Sequence, residues 1–209
     1  IETQLINQHY NESPLDFIVS DYAINYPFKY LANDNFILSS YMVLPNEETR
    51  ILLNNWIINI YKYGEKIQTY TLLQKLITYI FKNFTYKVRE EAGVQTAKQT
   101  LSYGSGSCRD FAFLFMEVVK CLGLATRFVS GYLYAPLMSD QVGSTHAWAE
   151  VYLPGGGWIG FDPTTGNIVG TDHISVAVSR LPDNVPPIAG SFLGVSDSTI
   201  SVGVWVTKV

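Results

Sequence analysis

Charge and cysteine are both scarce in this chain of 209 residues. Charged residues make up 15% of the chain, against about 25% in an average soluble domain, and no long tail of like charge is present. The 14 Lys and Arg residues against 18 Asp and Glu residues leave a net charge of −4. Because a protein that binds nucleic-acid phosphates is usually basic, we expect no nucleic-acid partner.

Long apolar runs are also missing, although 47% of the residues are hydrophobic. The longest run lies around residues 111–116 and is far below the roughly 18 residues that a membrane-spanning helix needs. The sequence therefore predicts no membrane span. The apolar content is nevertheless sufficient for a sizeable core.

The two cysteines, Cys108 and Cys121, would form one disulfide at most. Secreted proteins usually contain more disulfides than one, so the low cysteine count favours a reducing compartment, and we expect a cytoplasmic location. The three histidines, His9, His146 and His173, do not combine with the cysteines at the spacing of a zinc site. A calcium loop of the Asp-x-Asp-x-Asp type is absent from the sequence. We therefore expect neither a metal nor a cofactor.

The first part of the chain differs from the rest. The sequence begins at Ile1 without an initiator Met, and residues 1–45 mix polar and aromatic residues around Pro14 and Pro27. This composition predicts an extended segment, namely the end of an upstream β domain followed by a linker. Residues 46–209 carry clear hydrophobic periodicity and are expected to form a separate domain.

Within residues 46–209, helical periodicity comes first and period-two alternation follows. Helices are expected just after Pro45, over residues 70–84, and from Cys108 to Gly123. Strands are expected at residues 127–134, 146–153, 158–162, 173–180 and 200–206, with a glycine-rich hairpin turn at 154–157. Helices followed by strands predict an α+β fold with an antiparallel sheet.

Cys108 is the first candidate for chemistry, because it lies where Gly/Ser-rich sequence turns into a helix. Ser107 is a good N-cap residue and Asp110 completes a capping box, so Cys108 becomes the first helical residue. The positive end of the helix dipole favours a thiolate at that position. The free N–H groups of the first turn could also stabilise an oxyanion during acyl transfer.

His146 and Asp162 lie at the same end of the predicted hairpin, His146 opening one strand and Asp162 closing the next. An imidazole activates a thiol nucleophile, and a carboxylate orients the imidazole. A symmetric turn centred between Gly155 and Gly156 would place His146 opposite Thr165, three residues from Asp162. The pair therefore requires a bulge, a shear or an asymmetric turn.

Each of these residues has a simpler interpretation on its own. An isolated Cys108 is more often a small buried residue, an isolated His146 a hydrogen-bonded strand histidine, and Asp162 part of a turn. Three such residues at element ends, in the order Cys, His, Asp, favour catalysis more strongly. His173 could be a second histidine of the site, although a structural role at a strand start is the simpler interpretation.

Three linked motifs carry a resemblance to a known family. They are GSCRDFA at residues 106–112, THAWAEV at 145–151 and GWIGFDPT at 157–164. In this order they resemble the transglutaminase-like superfamily, in its bacterial branch of transglutaminase-like proteins and proposed cysteine proteases. The resemblance covers about residues 65–195 and implies a papain-like fold, with a nucleophile helix packed on an antiparallel sheet. It assigns residues 46–209 to a transglutaminase-like catalytic domain.

The resemblance implies a Cys-His-Asp triad, with Cys108 as nucleophile, His146 as general base and then acid, and Asp162 as the orienting group. The expected function is thiol-dependent acyl transfer, most simply a cysteine protease or amidase acting on a peptide or protein substrate. A protein-glutamine transglutaminase or deamidase is the alternative, and a catalytically silent peptide-binding module of the same fold is another. Tyr86, Gln99 and Tyr103 all lie upstream of the nucleophile as candidates for the second oxyanion donor, and the sequence leaves that choice open.

Overall fold

The computed structural model describes residues 2–10, 15–134, 144–191, 193–194 and 201–207. The helices of the described residues are α1 (Ala32–Leu38), α2 (Glu47–Ile57), α3 (Thr69–Asn83), α4 (Ala97–Tyr103) and α5 (Cys108–Cys121). The strands are β1 (Asn25–Tyr26), β2 (Ile67–Gln68), β3 (Thr85–Tyr86), β4 (Ser105–Gly106), β5 (Thr126–Leu133), β6 (Ser144–Leu153), β7 (Gly157–Asp162), β8 (Asn167–Ile168) and β9 (His173–Ser179). Helices precede the main strands, which confirms the predicted α+β class.

The main sheet has five strands in the order β8-β7-β6-β5-β9, and every neighbouring pair is antiparallel. Strand β6 lies at its centre and is flanked by β5 and β7. Two small pairs complete the strands: β1 with β2 antiparallel, and β3 with β4 parallel. The parallel pair matters for the site because it holds the segment at Tyr86 beside Gly106, two residues before Cys108.

Helix α5 is the central element of the core. It contacts α2, α3, α4 and the strands β5 and β6, so it is covered on nearly all sides. Its sequence is accordingly apolar around most of its circumference, with Phe111, Leu114, Phe115 and Met116 all buried. The odd-numbered residues of the β6 hairpin strand, from Ala147 to Leu153, join the same core cluster.

The N-terminal segment differs from the extended structure that its sequence predicts. Residues 32–38 form α1, and Tyr26, Tyr30 and Leu38 belong to the same core cluster as α3 and α5. The Tyr30 hydroxyl donates to the Tyr152 carbonyl oxygen at 2.8 Å and accepts from the Ala125 N–H at 3.0 Å. The helix has no side-chain N-cap, which removes the local signal that would have indicated it.

Two further expectations concern the chain ends. Residues 11–14, which include the expected linker residue Pro14, lie outside the described residues. The predicted C-terminal strand is not formed in the described part, because residues 201–207 have no strand partner. None of the helices in the described ranges is long and apolar enough to cross a membrane.

Gly131 of β5 lies where the neighbouring strands leave no room for a side chain. It pairs with His146 on one side and Ser175 on the other, at a register shift between Ser130 and Gly131. A Cβ atom here would lie 2.1 Å from the Ile174 carbonyl oxygen and 2.9 Å from the Trp148 ring. Only glycine fits between these neighbours without displacing backbone.

We therefore expect Gly131→Ala to lower the free energy of unfolding by about 1–3 kcal/mol, the usual cost of overpacking a core position. Urea denaturation measures this loss. Gly190→Ala is the matched control, because a Cβ at Gly190 meets no atom within 4 Å. Equal stability of the two variants would contradict the close approach at Gly131.

Candidate active site

The predicted nucleophile lies at the first residue of α5, as its capping sequence predicts. The Asp110 carboxylate accepts hydrogen bonds from the backbone N–H and the hydroxyl of Ser107, both at 2.8 Å. The first helical bonds are made by the N–H groups of Asp110 and Phe111 to the Ser107 carbonyl oxygen. Helix geometry thus leaves the Cys108 N–H without an intrahelical acceptor. The Cys108 side chain is partly exposed and can meet a substrate.

Asp110 fixes this turn against the preceding loop. Its carboxylate is fully buried and also accepts from the Gln95 N–H and from Arg89, each at 2.7 Å. Burial by itself would raise the pKa of Asp110, but the hydrogen bonds from Gln95, Ser107 and Arg89 outweigh burial and lower it. An ionised, fully bonded carboxylate therefore anchors the start of the nucleophile helix.

His146 and Asp162 come together as the sequence predicts. The His146 Nε2 atom lies 2.8 Å from Asp162 Oδ2. Both side chains are buried, with 6% of His146 and none of Asp162 exposed. A contact of this length inside the protein is a charge-assisted hydrogen bond.

The register of the hairpin explains how the pair forms without a bulge. Ala149 pairs with Phe161 and Leu153 with Gly157, so the turn is centred on Gly155. Continuing that register places Asp162 opposite Trp148, with His146 two residues further along the same face. The two side chains are therefore diagonal neighbours, which are within reach of each other across a sheet. The turn centre differs by half a residue from the symmetric one expected.

The structure also brings Cys108 to His146. The Cys108 thiol lies close enough to contribute to the raised pKa of His146, and Nε2 of His146 is already engaged by Asp162. The nitrogen that remains for the thiol is therefore Nδ1. Cys108, His146 and Asp162, the residues predicted for the triad, are therefore neighbours in the structure.

The pKa of His146 is strongly raised. Burial alone would lower its pKa, but the hydrogen bonds and charges of Asp162 and Cys108 outweigh burial and raise the pKa to about 10. So high a pKa favours the imidazolium form of the ring. In that form both ring nitrogens carry a proton, and the Nε2–H donates to the Asp162 carboxylate.

Asp162 is the most completely bonded group of the site. Its Oδ2 atom lies 3.2 Å from His173 Nε2 and accepts from the Thr165 hydroxyl at 3.0 Å, while Oδ1 accepts from the Thr164 N–H at 2.8 Å. Burial would raise its pKa, but the hydrogen bonds from His146 and His173 outweigh burial and lower the pKa well below the usual range. The carboxylate therefore stays ionised although it is fully buried.

The same three side chains, His146, Asp162 and His173, are a possible ligand set for a metal, since one atom of each lies within 4.8 Å of the others. A histidine that binds a metal through Nε2 normally donates its Nδ1–H to an acceptor. In His173 the Nδ1 atom instead accepts from the Gly170 N–H at 3.3 Å. The arrangement fits a hydrogen-bonded carboxylate better than a metal centre.

The other residues considered in the sequence lie at different distances from the start of α5. Cys121 ends α5, opposite to Cys108. Tyr86 is half-exposed on β3 and its ring packs edge-on against Phe111, with ring centroids 6.5 Å apart. The Gln99 side chain caps α4 by accepting from the Thr96 N–H at 2.9 Å. The Tyr103 side chain is 62% exposed at the end of α4.

Two partners of the site, Arg89 and His173, reach it through contacts between distant segments of the chain. Arg89 binds Asp110 across a separation of 21 residues, and nothing in the spacing of the two residues indicates the contact. For His173 the sequence alone favours a structural role at a strand start over a second site histidine. The structure places it directly on Asp162. Its position at the start of a strand, level with the opening of β6, is the signal that could have identified it.

The chain is similar to known proteins over part of its length. Residues 60–163 match the model of the transglutaminase-like superfamily. The chain is 36% identical over 109 residues to an uncharacterized protein of Mycobacterium leprae, a match that covers 50% of this chain and 38% of that protein. It is 32% identical over 138 residues to an uncharacterized protein of Mycobacterium bovis, covering 62% of this chain and 44% of that protein. The matches span less than half the length of these curated relatives.

A solved structure shares the fold. The crystal structure of a proposed cysteine protease from Cytophaga hutchinsonii superimposes with a TM-score of 0.58 and 20% sequence identity, covering 85% of this chain and 61% of that chain. This likeness and the family match together establish the transglutaminase-like fold of the described residues. The packing of α5 against the antiparallel strands β5 and β6 agrees with the nucleophile helix on a sheet that the motifs predict.

The coupled pKa shifts predict how Asp162 contributes to stability at different pH. The raised pKa of His146 supplies stability that is complete below the unfolded histidine value of about 6.5 and is lost as pH rises through about 10. The lowered pKa of Asp162 supplies stability that is complete above about pH 4 and is lost as pH falls. Wild type should therefore exceed Asp162→Asn most between about pH 4 and pH 6.5.

Urea unfolding of both proteins across this pH range measures the difference. We expect it to shrink towards pH 10 and again below about pH 4. Asp183→Asn is the control, because it removes an exposed carboxylate outside the site. A pH-independent difference for Asp162→Asn would show that the pair is not charged in the folded state.

Proposed function

Through residues 60–163, this chain belongs to the transglutaminase-like superfamily, and from that premise we propose that it is a thiol-dependent acyl-transfer enzyme. Cys108 is the nucleophile, His146 the general acid and base, and Asp162 the orienting group. The observation that carries the proposal is the buried His146–Asp162 hydrogen bond of 2.8 Å beside the first residue of α5. We favour hydrolysis of a peptide or amide bond.

The first half of the reaction uses the charged pair directly. The Cys108 sulfur attacks the carbonyl carbon of the substrate, a carbon–sulfur bond forms, and the carbonyl oxygen becomes an oxyanion. The carbon–nitrogen bond then breaks while the Nδ1–H of His146 gives its proton to the leaving amine. A thioester on Cys108 and a neutral imidazole result. Asp162 keeps the ring aligned throughout, through its bond to Nε2.

The second half reverses the roles. The neutral Nδ1 of His146 takes a proton from water, the water oxygen attacks the thioester carbon, and the carbon–sulfur bond breaks. The product acid leaves. The proton taken from water stays on Nδ1, so the imidazolium and the Cys108 thiolate are restored. An amine in place of water would give a new amide by the same steps, which is the transglutaminase alternative.

The oxyanion needs two donors, and the structure favours one of the three candidates for the second. The N–H of Cys108 is the first donor. Tyr86 lies level with Gly106 in the β3–β4 pair, and the Lys87 N–H bonds to the Gly106 carbonyl oxygen at 2.8 Å. Burial, followed by the charges of Cys108, Asp110 and Asp162, raises the pKa of Tyr86, so its hydroxyl stays protonated and can donate.

The other two candidates are placed less well. The Gln99 side-chain oxygen is occupied by the N–H and hydroxyl of Thr96, at 2.9 and 3.0 Å. Tyr103 is largely exposed. It is the last residue of α4 and lies two residues before β4 in the sequence. We propose the Tyr86 hydroxyl as the second donor.

The acyl-transfer proposal predicts that p-nitrophenyl acetate leaves one acetyl group on Cys108. Wild type should give a burst of p-nitrophenolate, and intact mass with peptide mapping should show the adduct. Cys108→Ala should abolish both, because no thioester can form. Cys121→Ala is the matched control on the same helix and should retain the burst, since burial, followed by the Glu117 charge, raises the pKa of Cys121 to about 11.

Peptides and acylated glutamine amides, tested with and without methylamine, then identify the acceptor. A released acid indicates hydrolysis, whereas a methylamide product indicates the transglutaminase alternative. A wild-type protein without a burst, whose Cys108 reacts with iodoacetamide no faster than Cys121, would instead be the silent binding module.

Removal of the proposed oxyanion donor should slow the chemistry without weakening binding. We expect Tyr86→Phe to lower kcat for p-nitrophenyl acetate by about 10²–10³-fold, the usual cost of one oxyanion-hole donor, with KM nearly unchanged. Tyr103→Phe removes a phenol hydroxyl from the neighbouring α4 and should keep wild-type kcat. If Tyr103→Phe were the slow variant, the donor would be Tyr103.

A further inference from the structure

We propose that His173 is a positioning residue of the site, whose neutral Nε2–H donates to Asp162 and holds that carboxylate aimed at His146. The inference rests on the proposed function and adds a fourth side chain to the three proposed for catalysis. Two observations carry it. Nε2 of His173 lies 3.2 Å from the same Oδ2 atom that His146 binds at 2.8 Å, and Nδ1 of His173 has a partner of its own.

The partner of Nδ1 decides which nitrogen carries the proton. The Gly170 N–H points at Nδ1 at 3.3 Å, so Nδ1 must accept and cannot hold a proton. The single proton of a neutral ring then lies on Nε2, directed at Asp162. A protonated ring would set two N–H groups against each other at Nδ1. The backbone thus selects the neutral donor tautomer.

The sheet fixes the ring at that place. His173 opens β9 and pairs with Leu133 of β5, and its side chain is only 8% exposed. The Trp148 ring stands edge-on to it, with ring centroids 5.2 Å apart and planes at 79°. Trp148 and His146 belong to the same strand, so a single aromatic side chain packs against both imidazoles.

The consequence concerns the direction of the carboxylate. If His146 were the only partner of the Asp162 carboxylate, the carboxylate could rotate about its χ2 torsion, which is broad for Asp. The bonds from His173, Thr165 and Thr164 converge on both oxygens and remove that freedom. A carboxylate fixed in this way keeps His146 aligned with Cys108.

Two substitutions separate donation from packing. His173→Phe keeps an aromatic ring against Trp148 but removes the donor, whereas His173→Gln loses the ring and keeps an N–H near the position of Nε2. The readout is the alkylation rate of Cys108 by iodoacetamide at about pH 6, where only a thiolate paired with an imidazolium reacts quickly. Cys121 in the same molecule is the internal reference, and circular dichroism verifies folding.

We expect His173→Phe to slow alkylation of Cys108 by about tenfold or more, the usual effect of losing an outer hydrogen-bond partner, and His173→Gln to stay within about threefold of wild type. The reverse order would show that His173 acts through packing and would overturn the inference. So would equal rates for all three proteins. A wild-type Cys108 no faster than Cys121 would instead refute the proposed function.

A measurement on the unaltered protein tests the tautomer directly. Long-range ¹H–¹⁵N NMR spectra distinguish the two nitrogens of each histidine, and His173→Gln assigns the signals. We expect the Nε2–H tautomer of His173 at neutral pH. A Nδ1–H tautomer would overturn the inference. So would one equivalent of zinc per protein that remains after incubation with ZnCl₂ and dialysis into zinc-free buffer and is absent from His173→Gln, because that result would indicate a metal site.

Discussion

The full burial of the Asp162 carboxylate is the constraint on which the site depends. An ionised carboxylate without solvent is costly unless donors replace the water on both oxygens. His146, His173, Thr165 and the Thr164 N–H supply those donors. They come from β6, from β9 and from the turn after β7, so one carboxylate links three parts of the sheet at the same end. The geometry of the site follows from satisfying that group.

A second buried carboxylate performs the same task for the nucleophile. Asp110 joins the Ser107 cap, the Gln95 backbone and the Arg89 side chain, and so ties the start of α5 to the loop before it. The sulfur belongs to this half and the imidazole to the other. Cys108 and His146 therefore meet only when α5 has packed against the sheet, which couples completion of the site to completion of the fold.

Local chemistry made much of this predictable. Ser107 and Asp110 indicate the exact start of α5, and the period-two alternation with its glycine turn indicates the hairpin that carries His146 and Asp162. The family motifs then identify the fold. Features set by distant contacts had no such signal: α1 lacks a capping residue, and the bond from Arg89 to Asp110 links segments 21 residues apart.

The identity of the residue at position 162 is itself evidence about its role. The turn after β7 needs only an acceptor for the Thr164 N–H, and an asparagine oxygen could provide one. Three donors converge on the other oxygen, from His146, His173 and Thr165. An amide nitrogen in that place would confront N–H and O–H groups with another donor. Only a carboxylate satisfies both sides and also stabilises a positive charge on His146. A turn alone does not require that charge, whereas an imidazolium held beside a thiol does.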